Sequence, residues 1–398
     1  MEVNTDPKKI KEILTRGVEE IVDREHLRRM LLSGKKLRVK HGIDPTGPKI
    51  HLGRSFQFWK LREFQEMGHQ IVLIIGDFTA QIGDASDKQA MRRPLSEKEV
   101  KENMKNYDEQ IGKILDLSKT ELRYNSEWLN KLKAKDLIFL AMHFTAQQMI
   151  QRRNFRERWG KNKPIGLHEL DYPLFQGYDS VAVRADVEIG GFDQLFNLLV
   201  GREIQKIFNQ NSQDILTSKM LLGLDGRKMS TSWGNIISLT DRPEDIYGKT
   251  MSMKDELIPD YFELCTRLPL TELKEINRNL KEKKTNPKEI KARLAREIVS
   301  LYYGERAAFE TEREFNKVFK EKKLPRKIPE IFLKEKKMNI LDLLFKTKLA
   351  SSKSEAKRLI LQKGVKIDGK IQNDWKKIIE VKEGMIVQVG KRRFLRMN

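Results

Sequence analysis

The stretch LRVKHGIDPTGPKIHLGRSFQFWKLREFQEMGHQIVLIIG, residues 37–76, decides the fold of this chain. Residues 37–42 and 70–76 have the pattern of strands, and the second is rich in Ile and Val, as strands buried on both faces are. Residues 51–67 have the pattern of a helix that ends at Gly68. A strand, a crossover helix and a parallel strand form the unit of a doubly wound sheet, so we predict an α/β fold with a parallel sheet.

Two loops of this unit lie where a ligand would bind. Ligands of doubly wound sheets bind at the carboxyl ends of the strands, and residues 44–53 and 77–88 follow the two predicted strands. The first loop leads directly into the helix, and the amides and dipole of a helix N-terminus attract an anion. The sequence contains neither GxxxxGK[ST] nor GxGxxG, which excludes a P-loop or a dinucleotide-binding motif. We therefore expect an anion site of another kind, beside His51.

The composition limits the partners and the compartment. The 398 residues carry 78 Lys+Arg against 57 Asp+Glu, a net charge of +21. This excess favours nucleic acid as a partner ahead of an anionic membrane, although a solvated lysine-rich surface is the ordinary alternative. The longest apolar run, residues 71–75, is far shorter than the roughly 20 residues of a membrane span. The N-terminus does not resemble a signal peptide, and the single Cys265 cannot form an internal disulfide, so we expect a cytoplasmic protein with no membrane partner.

The length predicts two or three domains, and charge and pattern place their boundaries. The last 61 residues are strongly basic, and a capped amphipathic helix is followed there by the hairpin turn Asp368-Gly369. The stretch before them has two prolines and many charges, as linkers do. We predict a sheet domain with a helical insertion, an α-helical domain, a linker and a small α+β domain, at residues 1–225 (insertion about 96–165), 226–320, 321–337 and 338–398.

Two separated motifs carry the chemistry. The first is HGIDPTGPKIHLGR, residues 41–54, with His51 at the predicted helix start, and the second is LDGRKMSTSWGN, residues 224–235. In the second, Lys228 on a Ser/Thr-rich loop can reach over a triphosphate and neutralise charge as pyrophosphate leaves. Taken singly, each motif has an ordinary explanation: His51 in the first motif would be a structural residue at a helix start, and the second motif would be a solvated loop. Together they resemble the paired signatures of class I aminoacyl-tRNA synthetases.

A third stretch narrows this resemblance. Residues 167–202, LHELDYPLFQGYDSVAVRADVEIGGFDQLFNLLVGR, closely resemble the active-site core of tyrosyl-tRNA synthetases. Tyr172, Gln176 and Asp179 stand at i, i+4 and i+7, so a helix would place their phenol, amide and carboxylate along one face. The ordinary alternative is a buried polar helix of a generic sheet protein, which these three positions and Gln194, matched at the spacing of the family, disfavour. The basic C-terminal region resembles the small RNA-binding domain of the bacterial enzymes, whose cations bind the tRNA backbone.

The resemblance implies a Rossmann-like catalytic domain and a ligase for tyrosine and tRNA(Tyr). Such an enzyme uses ATP with Mg²⁺ to make tyrosyl-adenylate and then transfers the tyrosyl group to the 3′ end of the tRNA. It implies a homodimer joined through the helical insertion, and it implies no resident metal site. Asp179 would accept the hydrogen bond of the substrate phenol, while Tyr172, Gln176 and Asp84 would hold the α-ammonium group.

The family positions fall into three sets in this sequence. The residues matched to catalytic positions are His51, Arg54, Lys228 and Ser232. Those matched to ATP-binding positions are Asp44, Thr46, His51, Gly53, Gly191, Asp193 and Lys228. Those matched to tyrosine-binding positions are Thr79, Asp84, Tyr172, Gln176, Asp179 and Gln194, and Lys88 is a further candidate for a phosphate contact.

The sequence departs from the family pattern at several positions. Arg54 stands where a histidine is usual and Thr231 where a second lysine is usual, so we hypothesise that Arg54 partly compensates for the missing lysine. Lys40 stands where some tyrosyl enzymes have a second phenol-binding tyrosine, and Phe192 and Asp87 are lesser departures. The alternative function is a catalytically weakened paralogue that binds tRNA or structured RNA. A tryptophanyl enzyme is a more remote alternative, which Asp179 and the C-terminal domain disfavour.

Overall fold

The computed structural model describes residues 2–85, 93–229, 233–319, 328–333, 335–390 and 393–398. The chain forms two compact units, Met1–Gly304 and Glu305–Asn398. Among the described residues, no helix combines the length and the apolar character that crossing a membrane would require.

The first unit is built on a six-stranded sheet whose strands lie in the order β1-β6-β5-β2-β3-β4. Strand β1 pairs antiparallel with β6, and every other pairing is parallel. This arrangement confirms the predicted α/β fold with a parallel sheet. The strands are β1 (Val18–Ile21), β2 (Arg38–Ile43), β3 (Gln70–Ile75), β4 (Thr120–Tyr124), β5 (Val187–Gly191) and β6 (Asp214–Ser218).

Helices surround this sheet and extend beyond it in the second half of the unit. Those between the strands are α1 (Pro7–Ile13), α2 (Arg24–Leu32), α3 (Leu52–Glu66), α4 (Thr79–Ile82), α5 (Glu97–Met104), α6 (Tyr107–Gly112), α7 (Ser126–Leu129), α8 (Ala134–Ala141), α9 (Ala146–Ile150), α10 (Arg153–Gly160), α11 (Leu167–Val183) and α12 (Leu195–Ile207). Those after the last strand are α13 (Pro243–Ser252), α14 (Ile258–Cys265), α15 (Leu270–Lys281) and α16 (Pro287–Tyr303).

The β2–α3–β3 unit forms as the sequence predicts. Strands β2 and β3 run in parallel register from Arg38 opposite Gln70 to Ile43 opposite Ile75. Five of the six residues of β3 are buried, which explains its continuous run of Ile, Val and Leu. Side chains alternate between the faces of a strand, and the Val72 and Ile74 side chains pack on the face covered by the end of α11.

The sequence analysis predicted only β2 and β3 of this sheet, and among the four strands that it did not predict, β1 and β4 form the two edges. Residues 120–124 lie inside the range interpreted as a helical insertion, yet they form β4, which pairs with β3 at the sheet edge. Every residue of β4 keeps some exposure, and every residue of β1 at the opposite edge is at least partly exposed. Because edge strands like these lack a buried apolar run, their sequence does not differ from that of a polar turn or short helix.

The second unit is a small α+β module. Its strands form one sheet in the order β10-β9-β12-β13-β7 and a two-stranded sheet of β8 and β11. The predicted helix cap is present, because the Ser352 side chain accepts a hydrogen bond from the Glu355 amide at 3.1 Å. The predicted hairpin turn is present too, with φ of 46° at Asp368 and 78° at Gly369. The elements are α17 (Glu305–Phe319), α18 (Ile340–Lys346), α19 (Lys353–Leu361), β7 (Glu330–Ile331), β8 (Lys337–Asn339), β9 (Val365–Ile367), β10 (Lys370–Gln372), β11 (Ile378–Glu380), β12 (Ile386–Val389) and β13 (Arg393–Met397).

Gly17, between α1 and β1, provides a test of the packing around α3. Its φ is +59°, and an added Cβ would overlap the side chains of Phe56 and Leu264. We expect Gly17→Ala to lower the free energy of unfolding by about 3 kcal/mol, since left-handed strain and overpacking add. The matched control is Gly34→Ala, at φ +73° with open space around it, which should cost about 1 kcal/mol. Equal losses of thermal stability in the two variants would contradict this packing.

Candidate active site

A cavity of about 410 Å³ opens where β2, β3 and β5 end. Asp44 follows the last residue of β2, Gly76 follows that of β3, and Gly191 closes β5, so three parallel strands deliver residues to one place. Of the residues predicted for the site, fourteen line this cavity: Asp44, Thr46, His51, Gly53, Arg54, Thr79, Asp84, Tyr172, Gln176, Asp179, Gly191, Asp193, Gln194 and Lys228. Ser232 and Lys88, together with Thr231 and Asp87, lie outside the residues that the structure describes.

One end of the cavity is closed by Asp179, whose side chain is 3% exposed. Its Oδ1 accepts from Nε1 of Trp128 at 2.8 Å, and its Oδ2 accepts from Nδ2 of Asn125 at 3.3 Å. Burial raises the pKa of Asp179 to about 7, against the opposing charge of Lys40 and these two hydrogen bonds. Because each oxygen of a carboxylate can accept two hydrogen bonds, Asp179 keeps the capacity to accept one more donor.

Tyr172 and Thr79 share the carboxylate of Asp44. The Tyr172 hydroxyl donates to Oδ2 of Asp44 at 2.9 Å, and the Thr79 hydroxyl donates to Oδ1 at 2.7 Å. Burial, followed by the negative charge of Asp44, raises the pKa of Tyr172 well above its ordinary value. The phenol of Tyr172 therefore remains a hydrogen-bond donor at every physiological pH and holds the loop after β2 against α11.

A chain of hydrogen-bonded amide groups fixes the cavity residues Gln176 and Gln194. Nδ2 of Asn197, on α12, donates to Oε1 of Gln176 at 2.9 Å and to Oε1 of Gln194 at 3.0 Å. Nε2 of Gln194 in turn donates to Oδ2 of Asp84 at 2.7 Å, while Arg152 donates to Oδ1 at 2.9 Å. The carboxylate of Asp84 thus lines the cavity beside amides with fixed partners, and it is paired there with Arg152.

Asn197 and Arg152 take part in this network, and the sequence analysis missed both. The spacing of Asn197, three residues after Gln194 on a helix, was a usable signal, because residues at i and i+3 are neighbours. Arg152 precedes α10 and reaches Asp84 across 68 residues of sequence, and no local pattern reveals such a contact.

The other end of the cavity is positively charged. His51 caps the N-terminus of α3, and among the described residues its Nδ1 has no hydrogen-bond partner. The Arg54 guanidinium donates to the Thr46 hydroxyl at 2.9 Å, and Nζ of Lys228 lies 3.3 Å from a carboxylate oxygen of Asp193. Two cations beside a helix N-terminus suit a polyphosphate.

His51 is neutral in this setting. Burial, and after it the positive charges of Arg54 and Lys228, together lower its pKa to about 3. A neutral imidazole at a helix start donates or accepts a hydrogen bond without adding charge. An added Cβ at Gly53 would lie 3.1 Å from Nδ1 of His51 and 2.9 Å from Sδ of Met229, so this first turn has no room for a side chain.

Comparison with known proteins gives matches over nearly the whole chain. The family described as tRNA synthetases class I (W and Y) matches residues 32–320, and the one described as the tyrosine–tRNA ligase SYY-like C-terminal domain matches residues 320–396. The tyrosine–tRNA ligase of Moorella thermoacetica is 48% identical over 391 residues, which are 97% of this chain and 95% of that protein. That of Thermotoga maritima is 46% identical over 393 residues, 98% of each chain.

Solved structures share the fold of this chain. A C-terminally truncated mitochondrial tyrosyl-tRNA synthetase of Aspergillus nidulans matches with a TM-score of 0.65 and 21% identity, over 78% of this chain and 94% of that one. The tyrosyl-tRNA synthetase of Archaeoglobus fulgidus, complexed with L-tyrosine, matches with a TM-score of 0.61 and 23% identity, over 77% and 99%. At 21% and 23% identity, these two structures support the fold of this chain and nothing beyond it.

The charge state of His51 can be measured directly. We expect its ring to stay neutral from pH 5 to 8 in nuclear magnetic resonance titrations, because its pKa lies near 3. Arg54→Met should raise this pKa by removing a nearby cation, although burial keeps it below the ordinary 6.5. Arg62→Met, on the same helix but bonded to Glu66, is the matched control and should leave it unchanged. A wild-type His51 that titrates between pH 6 and 7 would contradict the described burial.

Proposed function

We infer the function of this chain from its family and from the cavity: the chain belongs to the class I tRNA synthetases of the tryptophan and tyrosine group. It is a tyrosine–tRNA ligase, similar over its full length to tyrosine–tRNA ligases at 46–48% identity. The observation that carries the choice of tyrosine is Asp179, a buried acceptor held by two donors at the closed end of the cavity.

The reaction has two steps. An oxygen of the tyrosine carboxylate attacks the α-phosphorus of ATP, the bond to the bridging oxygen of the β-phosphate breaks, and pyrophosphate leaves. A hydroxyl of the terminal tRNA ribose then attacks the tyrosyl carbonyl carbon, and AMP leaves. We propose that Mg²⁺ enters with ATP as part of that substrate. Catalysis rests on positioning and electrostatics, because no step requires a covalent enzyme intermediate.

We propose that the Asp179 end binds the tyrosine side chain. The substrate phenol donates to Asp179, and a phenylalanine ring would leave this buried carboxyl without its third partner. The α-ammonium group lies near the carboxylate of Asp84, which compensates its charge. The residues proposed for this part of the site are Thr79, Asp84, Tyr172, Gln176, Asp179 and Gln194.

We propose that the positive end binds ATP. His51 donates to the phosphates as a neutral imidazole, while Arg54 and Lys228 neutralise the charge that develops as pyrophosphate leaves. The residues proposed for nucleotide binding are Asp44, Thr46, His51, Gly53, Gly191, Asp193 and Lys228. Ser232 as a catalytic residue and Lys88 as a phosphate contact stay predictions from the family resemblance.

We propose further that the chain is a cytoplasmic homodimer that binds tRNA(Tyr) through its basic C-terminal domain. Residues of α8 and the position after it support an interface in the helical insertion, because Ile138, Phe139 and Met142 are 61%, 45% and 77% exposed. The domain boundaries given above stay predictions. A weakened RNA-binding paralogue is not favoured, since such a protein has no need for a polar cavity of this construction.

The activity test is tyrosine-dependent exchange of pyrophosphate into ATP. We expect tyrosine to support exchange and phenylalanine to be worse by about 10⁴-fold or more in kcat/KM, as is known for tyrosine enzymes of this class. Asp179→Asn should lower kcat/KM for tyrosine by about 10–100-fold, because a hydrogen bond to a charged group is lost. Exchange that is equal with tyrosine, phenylalanine and tryptophan, or absent with all three, would exclude this function.

The departures at Arg54 and Thr231 generate a separate test. If both positions act on the same phosphates, Arg54→His should lower exchange by about 10-fold, and adding Thr231→Lys should restore most of it. Arg62→His on the same helix is the control for loss of a guanidinium and should have little effect. Strict additivity of the two single substitutions in the double variant would show that Arg54 does not compensate for Thr231.

A further inference from the structure

A buried ion pair lies against the turn of α11 that carries Gln176 and Asp179. Lys40 on β2 and Glu188 on β5 are neighbours in the parallel register, and Nζ of Lys40 lies 2.9 Å from Oε1 of Glu188. Their side chains are 0% and 2% exposed. Such a pair is costly to desolvate and requires further hydrogen bonds, so its partners indicate what it does.

All three protons of the Lys40 ammonium are used inside the protein. Besides Glu188, Nζ donates to the Ser180 hydroxyl at 2.7 Å and to the backbone oxygen of Gln176 at 3.0 Å. An ammonium has three donors, so none is left for a substrate. Lys40 therefore does not replace the phenol-binding tyrosine that some relatives have at this position.

Glu188 completes the connection to the same turn of α11. Its Oε2 accepts from the Ser180 hydroxyl at 3.1 Å and from the side-chain amide of Gln213, and its Oε1 lies 3.5 Å from Nε2 of Gln176. Gln176 and Ser180 flank Asp179 in one turn of the helix. The pair thus fixes, from two strands, the turn that presents Gln176 and Asp179 to the cavity.

We propose that Lys40 and Glu188 form a positioning pair for tyrosine recognition: the pair fixes this turn of α11, Lys40 partly balances the charge of Asp179, and Glu188 holds Lys40 in place. The proposal rests on the proposed function, since it names Asp179 as the acceptor of the substrate phenol. Neither residue is catalytic: Lys40 does not line the cavity, and Glu188, which does, has its carboxylate bonded to Lys40, Ser180 and Gln213. Both therefore act through Gln176 and Asp179.

The electrostatics of Asp179 distinguish this role from a purely structural one. Lys40 lowers the pKa of Asp179 and is the largest influence opposing burial, whereas Glu188 raises it. The two members of the pair therefore act on Asp179 in opposite directions. The charged and polar groups that face Asp179 are Lys40 from β2, Glu188 from β5, Asn125 and Trp128 from the start of α7, and Tyr172 from α11 itself.

The test is the pH dependence of kcat/KM for tyrosine in pyrophosphate exchange. The acceptor is the carboxylate form, so wild-type kcat/KM should rise with pH through about 7. Lys40→Met should move this rise to higher pH by about one unit and increase KM for tyrosine by about 10-fold at pH 7, with kcat much less affected. Glu188→Gln should move the rise to lower pH.

Two further variants separate this role from loss of stability. Lys60→Met removes an equally buried lysine, 2.7 Å from Glu63 on α3, and should lower the melting temperature without moving the pH profile. If a single variant does not fold, the double variant Lys40→Met/Glu188→Gln leaves no unpaired charge and should still move the rise upward, since the influence of Lys40 exceeds that of Glu188.

The results of these experiments either support or overturn the proposed role of Lys40 and Glu188. Shifts in opposite directions for the two single variants, or an upward shift for the double variant, support the positioning pair. Unmoved profiles in active variants with lowered melting temperature, or shifts in the same direction, overturn it while the tyrosine activity of the wild type stands. No tyrosine-dependent exchange in the wild type would overturn the proposed function and this inference with it.

Discussion

The parallel pairing of β2, β3 and β5 is the constraint on which the rest of the site depends. Because the three strands run in the same direction, their carboxyl ends at Ile43, Ile75 and Gly191 reach the same edge of the sheet. Helix α3 begins nine residues after β2, so its N-terminus and His51 face this edge too. The same edge of the sheet thereby receives the start of α3 and the loops that follow β2 and β3.

Helix α11 contributes polar groups whose burial costs free energy. The carboxyl of Asp179 and the phenol of Tyr172 both have raised pKa values because the cavity removes them from water. The protein offsets part of this cost with fixed donors, Trp128 and Asn125, and with the cation of Lys40. A buried acceptor held in this way suits a phenolic donor, because a ring without a hydroxyl would leave the carboxyl one partner short.

Much of this site was predictable from local sequence, and the rest was not. The β2–α3–β3 unit and the helical face of Tyr172, Gln176 and Asp179 follow from periodicities within a few turns of chain. Strands β1 and β4 were missed because polar edge strands carry no buried run. The bond from Arg152 to Asp84 and the pairing of Lys40 with Glu188 depend on register and tertiary packing, which no single stretch of sequence encodes.

The central claim is that one cavity binds a tyrosyl group at Asp179 and a nucleotide at His51 and Lys228. Isothermal titration calorimetry with a non-hydrolysable tyrosyl-adenylate analogue tests this most directly, because it requires neither turnover nor tRNA. The account predicts that the tyrosyl analogue binds at least about 10³-fold more tightly than its phenylalanyl counterpart, and that Asp179→Asn removes most of this preference. Equal affinity for the two analogues, or a preference that survives in Asp179→Asn, would contradict it.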